Sequence, residues 1–274
     1  MNGPRIFLGA GWKMKKTAQE AVEYVQRLLE LLAGIDGLAE MQLFVVPPFT
    51  AIEAVKRASA GKFWVGAQNM HWAEWGAFTG EISAPMLQEL GVDLVELGHA
   101  ERRQHFNETD ESVQRKVHTA LRHGLRSLVC FGEQSSDREF GVEKEVIVRQ
   151  LRVALSGVPP ECAARLIVAY EPVWAIGEEG TPASPADVRV MSAHIRDLLE
   201  DILGAEAALV PVLYGGTVNP ENAAELLLGG RTDGLFVGRA AWQAEGFARL
   251  IANCAEAISR QRSGDLHENR TFSS

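Results

Sequence analysis

LIVAYEPVWAIG, running from Leu166 to Gly177, sets five apolar residues in a row against a carboxylate and a proline. A short apolar run without polar alternation fits a strand buried on both faces, as in a parallel sheet covered by helices. Glu171 follows that run directly, and a carboxylate there costs solvation unless it has a partner or a task. Working outward, similar runs occur at Ile6–Leu8, Leu43–Val46, Phe63–Ala67, Leu94–Leu97, Ser127–Phe131, Val210–Tyr214 and Leu235–Val237. With Leu166–Tyr170 they make eight.

Helical patterns lie between the runs. Ala18, Ala21, Val22, Val25, Leu28, Leu29 and Leu32 share one face, with Thr17 placed to cap the start and Gly34 to end the helix. Val188, Met191, Ile195, Leu198, Leu199 and Ile202 mark a second helix, and Phe247, Leu250, Ile251, Cys254 and Ile258 a third. Eight strand–helix units imply an α/β protein whose parallel strands close into a (β/α)8 barrel. A doubly wound open sheet is the competing layout. No linker or shift of composition interrupts the alternation, so residues 1–258 read as a single barrel domain. Residues 259–274 are polar and without periodicity, which predicts a flexible C-terminal tail.

The chain has 274 residues, 46% hydrophobic and 23% charged, within the range of soluble globular proteins. Lys and Arg number 27 against 36 Asp and Glu, a formal charge of −9. That balance argues against nucleic acid or an anionic membrane as the main partner but leaves a small anionic substrate open. Cys130, Cys162 and Cys254 are widely spaced and form no CxxC pair, so neither a zinc site nor a disulfide framework is expected. The N-terminus lacks a hydrophobic signal core, and a cytoplasmic location is the expectation.

In a parallel barrel the reactive groups sit where strands end and loops gather. Gly11-Trp12-Lys13 follows the first strand, Gly98-His99-Ala100-Glu101 the fourth and Glu171-Pro172 the sixth. Gly215-Gly216-Thr217 follows the seventh and Gly238-Arg239 the eighth. A lysine, a histidine and a glutamate at converging ends make an acid–base set, and glycine-rich turns ahead of helices suit anion capture. Each has a plainer reading, as a solvated charge, a helix cap or a strand terminator. Cys130 reads as core, and Trp12, Trp174 and Trp242 as packing. Gly9-Ala10-Gly11 is half a dinucleotide fingerprint at most, because Met14 stands where the third glycine would be.

Through about Ile258 the chain resembles the triosephosphate isomerase family. The resemblance rests on GWKM (Gly11–Met14), GAFTGE (Gly76–Glu81), GHAERR (Gly98–Arg103), AYEPVWAIG (Ala169–Gly177), YGGTV (Tyr214–Val218) and DGLFVGR (Asp233–Arg239). It implies a TIM barrel and an isomerase that needs no cofactor and no metal, acting on a small phosphorylated sugar. By the same resemblance Glu171 is the base and His99 the neutral electrophile, kept uncharged by a helix N-terminus; this enzyme is a standard illustration of that tuning. Lys13 faces the phosphate and the developing enediolate, with Glu101 in support. Gly11, Gly177, Thr217, Gly238 and Arg239 contact substrate or phosphate, and Pro172–Ala183 forms a closing lid. A homodimer is implied, through the loop around His71–Gly80, with Thr79 reaching the partner's site.

Four positions depart from the family pattern: Gly11 for asparagine, Ala100 for serine, Glu178-Glu179-Gly180-Thr181-Pro182 in the lid, and Arg239 for glycine. All lie at the expected site while Lys13, His99 and Glu171 are kept. The losses at Gly11 and Ala100 suggest added volume beside the reacting carbons. GAQNMHWAEWGAFTGE and GLFVGRAAW are similar to the branch of the family acting on tetrulose phosphates. The expected reaction is L-erythrulose 1-phosphate to D-erythrulose 4-phosphate. Glyceraldehyde 3-phosphate to dihydroxyacetone phosphate is the alternative, and a non-catalytic phosphate-binding dimeric scaffold a further one.

Overall fold

The computed structural model describes residues 6–177 and 180–271, with side chains described through Ser263. Eight parallel strands close into a barrel in sequence order: β1 (Ile6–Gly11), β2 (Met41–Val46), β3 (Trp64–Ala67), β4 (Leu94–Leu97), β5 (Arg126–Phe131), β6 (Leu166–Tyr170), β7 (Val212–Tyr214) and β8 (Gly234–Val237). The barrel closes where Leu8 of β1 pairs with Leu235 of β8. The open-sheet alternative is thereby excluded.

Alternation along each strand divides the apolar residues into two cores. Phe44, Val46, Leu94, Leu128, Cys130, Ile167, Ala169, Leu213 and Phe236 fill the barrel interior. Their neighbours, among them Leu8, Ala10, Val45, Val95, Val129, Val168, Val212 and Leu235, face outward into a second core shared with the helices. The Phe44 and Phe236 rings stack across the interior with centroids 5.7 Å apart. Cys130 belongs to that interior, so its reading as core holds.

Helix Ala18–Leu32 starts as its sequence predicts. Thr17 and Glu20 form a reciprocal capping box, and Ala21, Tyr24, Val25, Leu28 and Leu32 are buried. Its C-cap is Ala33, one residue before Gly34. Strand β7 begins at Val212 rather than Val210, because the preceding chain is taken up in a 3-10 turn (Gly204–Leu209) closed by the Val210 amide on the Ala207 carbonyl.

The last helix, Ala244–Thr271, runs beyond Ile258, where hydrophobic periodicity ends. Beyond that point the helix has no apolar stripe for a pattern to reveal. Ion pairs accompany it instead: Arg260 with Glu256 one turn back, and Arg262 with the distant Glu40. Among the described residues no helix is long and apolar enough to cross a membrane.

Candidate active site

At the carboxyl end of the barrel lies a cavity of about 440 Å³, lined by residues from the ends of six strands and their loops. Gly11, Lys13, His99, Glu101, Glu171, Gly177, Thr217, Gly238 and Arg239 all face it. Of the residues given a catalytic, binding or supporting role from the sequence, Thr79 alone is off this wall, exposed on the loop after β3; Ala100, one of the four departures, is not among the lining residues either.

Lys13 follows β1 in the left-handed region, at φ 52°, a conformation that non-glycine residues keep only when the surroundings impose it. Here the imposing group is Gln68, whose side-chain amide donates to the Lys13 carbonyl at 2.7 Å and to the Val46 carbonyl at 3.1 Å. The Lys13 ammonium then donates to Glu101 Oε1 at 2.6 Å. Burial works against the Glu101 carboxylate, but its hydrogen bond to Lys13 and that residue's charge outweigh it and hold its pKa below the usual value.

His99 is placed by the turn at Gly98, where φ is +79° and a Cβ would lie 2.8 Å from the Cys130 carbonyl oxygen. Only glycine fits. The Arg103 guanidinium pins this turn by donating to the Gly98 carbonyl at 2.7 Å. His99 caps the short helix Ala100–His105, with its Nδ1 accepting from the Glu101 amide at 3.2 Å. A nitrogen that accepts carries no proton, so the neutral ring has its hydrogen on Nε2, turned toward Glu171 Oε1 at 3.7 Å and Glu96 Oε1 at 3.9 Å.

Two influences compete at this imidazole. Burial pushes the pKa of His99 down, while the Glu171 and Glu96 carboxylates push it up, and the net direction is up. The expectation that a helix end alone sets the neutral form is therefore incomplete. Protonating Nδ1 would turn two donors face to face across the contact with Glu101, which opposes the cation, whereas the carboxylates favour it.

Glu171 is 2% exposed at the end of β6. Its amide extends the β5–β6 ladder to the Phe131 carbonyl, and its Oε2 lies 3.5 Å from the Ala100 amide. The chain then turns at Pro172 into the expected lid. Glu133, a residue the sequence reading passed over, holds the root of that segment. It accepts from the Tyr170 hydroxyl at 3.0 Å and the Trp174 indole at 2.7 Å. Thr217 Oγ1 donates to the Ala175 carbonyl at 2.7 Å, and the Arg239 guanidinium donates to the Gly177 carbonyl. Within the lid, Glu178 and Glu179 lie outside the described residues.

Gly11 faces the cavity, and Phe236 bounds it on one side: a Cβ on Gly11 would come within 3.0 Å of Phe236 Cζ. Trp242 both packs and lines the cavity, its indole donating to the Gly11 carbonyl at 3.3 Å. Trp12 is fully buried against Tyr24, as the packing reading requires.

Glu96 is the other residue missed. Its signal was available, since it interrupts the apolar run Leu94–Leu97. Buried at 6% exposure, its pKa is pushed up to about 7 by loss of solvation, against the opposing pull of His99. Glu96, His99 and Glu171 each offer an atom within 4.8 Å of the others, close enough to hold a metal ion or to share protons.

With this geometry in hand, the sequence profile of triosephosphate isomerase matches residues 6–254. The chain belongs to the triosephosphate isomerase family. It is an isomerase, and the closed barrel is that family's fold. A crystal structure of triosephosphate isomerase from Bartonella henselae superposes with a TM-score of 0.80 at 33% identity, covering 91% of this chain and 98% of that one. An L-erythrulose-1-phosphate isomerase of Mesorhizobium japonicum is 48% identical over 254 residues, 92% of this chain and 98% of that protein. Proteins of the same name are similar from Brucella abortus (46% identical, 93% and 98% covered) and Rhizobium meliloti (45% identical, 94% and 100% covered).

Proposed function

We propose that the protein interconverts L-erythrulose 1-phosphate and D-erythrulose 4-phosphate by moving a proton between the two inner carbons. The observation that carries this reading is the convergence of Lys13, His99 and Glu171 on one cavity, in a chain 45–48% identical to proteins named for that substrate. Glu171 takes the proton from the carbon that bears the hydroxyl. The electron pair moves into the adjoining carbonyl, and the resulting enediolate is met by the Lys13 ammonium and the Nε2–H of His99. His99 passes a proton between the two oxygens, and Glu171 returns its proton to the neighbouring carbon. Nothing is gained or lost, so the balance calls for no co-reactant.

The phosphate is assigned to the wall formed by Gly177, Thr217, Gly238 and Arg239, beside Lys13. Closing Pro172–Ala183 over it would shelter the enediolate from water. A divalent ion held by Glu96, His99 and Glu171 would occupy the base itself, which favours the acid–base reading of that cluster.

The protein is further assigned to a homodimer joined through the loop His71–Gly80. Trp75 there is 71% exposed and Phe78 45%, which a partner would cover, and Thr79, next along the loop, would face the partner's site.

An isomerase assay over three-, four- and five-carbon phosphorylated sugars is the test. We expect the highest kcat/KM with L-erythrulose 1-phosphate, and a loss of about 10³-fold or more in E171A. Faster turnover of glyceraldehyde 3-phosphate would replace this reading with a triosephosphate isomerase. Unchanged biological output of E171A would point to a scaffold.

A further inference from the structure

Strand β4 carries a carboxylate at a position whose counterparts in the barrel interior are apolar. Leu94 packs inside with Leu128 and Ile167. Two residues on, Glu96 points the same way, nearer the mouth, and lines the cavity. At 6% exposure it receives no hydrogen bond from the described residues; its nearest charged approach is His99 Nε2 at 3.9 Å, beyond bonding distance. Buried polar groups are almost always satisfied, and one left bare beside a cavity is satisfied by what enters it.

Its place narrows the entering group. Glu96 lies in the same 4.8 Å cluster as His99 and Glu171, so it flanks the reacting carbons rather than the phosphate wall. An anion would be repelled there by two carboxylates, whereas a hydroxyl can donate to Glu96. In a triose phosphate the end carbon beside the base carries only hydrogen in addition to its oxygen. In a four-carbon ketose phosphate the equivalent carbon carries a hydroxymethyl group.

We propose that Glu96 is the specificity residue for the fourth carbon, accepting a hydrogen bond from the terminal hydroxyl of the hydroxymethyl group that a triose phosphate lacks. This rests on the inner-carbon isomerisation proposed above. A site whose buried polar group is matched only by the longer substrate rejects the shorter one far more strongly than extra volume alone could, because the shorter substrate leaves that group unpaired.

The test compares the purified wild-type chain with E96L and E96Q, by kcat/KM on L-erythrulose 1-phosphate and on dihydroxyacetone phosphate. With E96L we expect a loss of about 10³-fold or more on the tetrulose phosphate and equal or faster turnover of the triose phosphate. E96Q keeps the shape and one acceptor oxygen, so about a tenfold loss confined to the tetrulose phosphate is expected, and this variant decides the matter if E96L does not fold. Phosphoglycolate, an anion with no fourth carbon, should bind wild type and E96Q equally. Equal losses on both substrates would overturn the proposal and make Glu96 a partner of His99 only; no loss on either would overturn it as well. Wild type inactive on L-erythrulose 1-phosphate would instead refute the substrate assignment, and this inference with it.

Discussion

Burial of a carboxylate has a thermodynamic signature separate from its effect on turnover. The pKa of Glu96 stands at about 7 in the fold, against about 4.3 in an unfolded chain. A folded-state value raised in this way contributes stability below the unfolded value and loses it as pH rises through the folded one. The protein therefore gives up on the order of 3 kcal/mol between about pH 4 and pH 8 through this one group. E96Q, neutral throughout, should raise Tm at pH 8 by several degrees and change it little at pH 5, read by calorimetry at both values. A uniform shift at both would mean that packing, not charge, dominates. Such a residue would be removed by selection for stability alone, which accords with a functional role. The three groups assigned to the proton transfer were legible because each is a polar residue at the end of an apolar run. Glu96 was just as visible, a carboxylate inside the otherwise apolar run Leu94–Leu97, but it lies within the run rather than at its end. Phe236 was not legible at all: its ring lies beside Gly11 of the neighbouring strand β1, and no pattern within β8 encodes that contact.

Among the elements, the strands were the most readable because burial on both faces leaves no polar interruption, and their count alone favoured closure. What the sequence did not carry was the end of the last helix, where pairing between charged side chains takes over from hydrophobic periodicity. The lid root is a second such case. Its sequence identifies a segment between β6 and the next helix, but the ties that position it come from Glu133, Thr217 and Arg239, beyond the ends of three other strands. Arg239 is therefore assigned a latch role through its side chain, with its backbone left free for phosphate. Replacing it with alanine removes one charge-assisted bond in an exposed setting, worth about 1 kcal/mol after screening. R239A should raise KM about fivefold and speed hydrogen exchange at the amides around Gly177, with little change in Tm. If KM and exchange both stay at wild-type values, the contact with Gly177 holds nothing in place.

At the scale of the whole molecule, the acid–base site is built within one chain, yet the loop after β3 leaves Trp75 and Phe78 exposed outside it. The barrel does not need that loop for closure, because the strand pairing is complete without it. Two large exposed apolar rings on one short loop carry a solvation cost, which the proposed dimer would remove. In a two-fold dimer the same patch is used by both copies, so each substitution acts twice. Losing one tryptophan at the centre of an interface costs about 2 kcal/mol, hence about 4 kcal/mol for the pair and a roughly 10³-fold weaker dimer. W75S should accordingly sediment as a monomer at micromolar concentration, where the proposed assembly makes the parent chain a dimer. Its specific activity should fall with dissociation and recover as concentration rises, because Thr79 would be withdrawn from the neighbouring site. Activity that stays constant while the sedimentation coefficient falls would separate assembly from catalysis, and would leave Thr79 with no part in the partner's cavity.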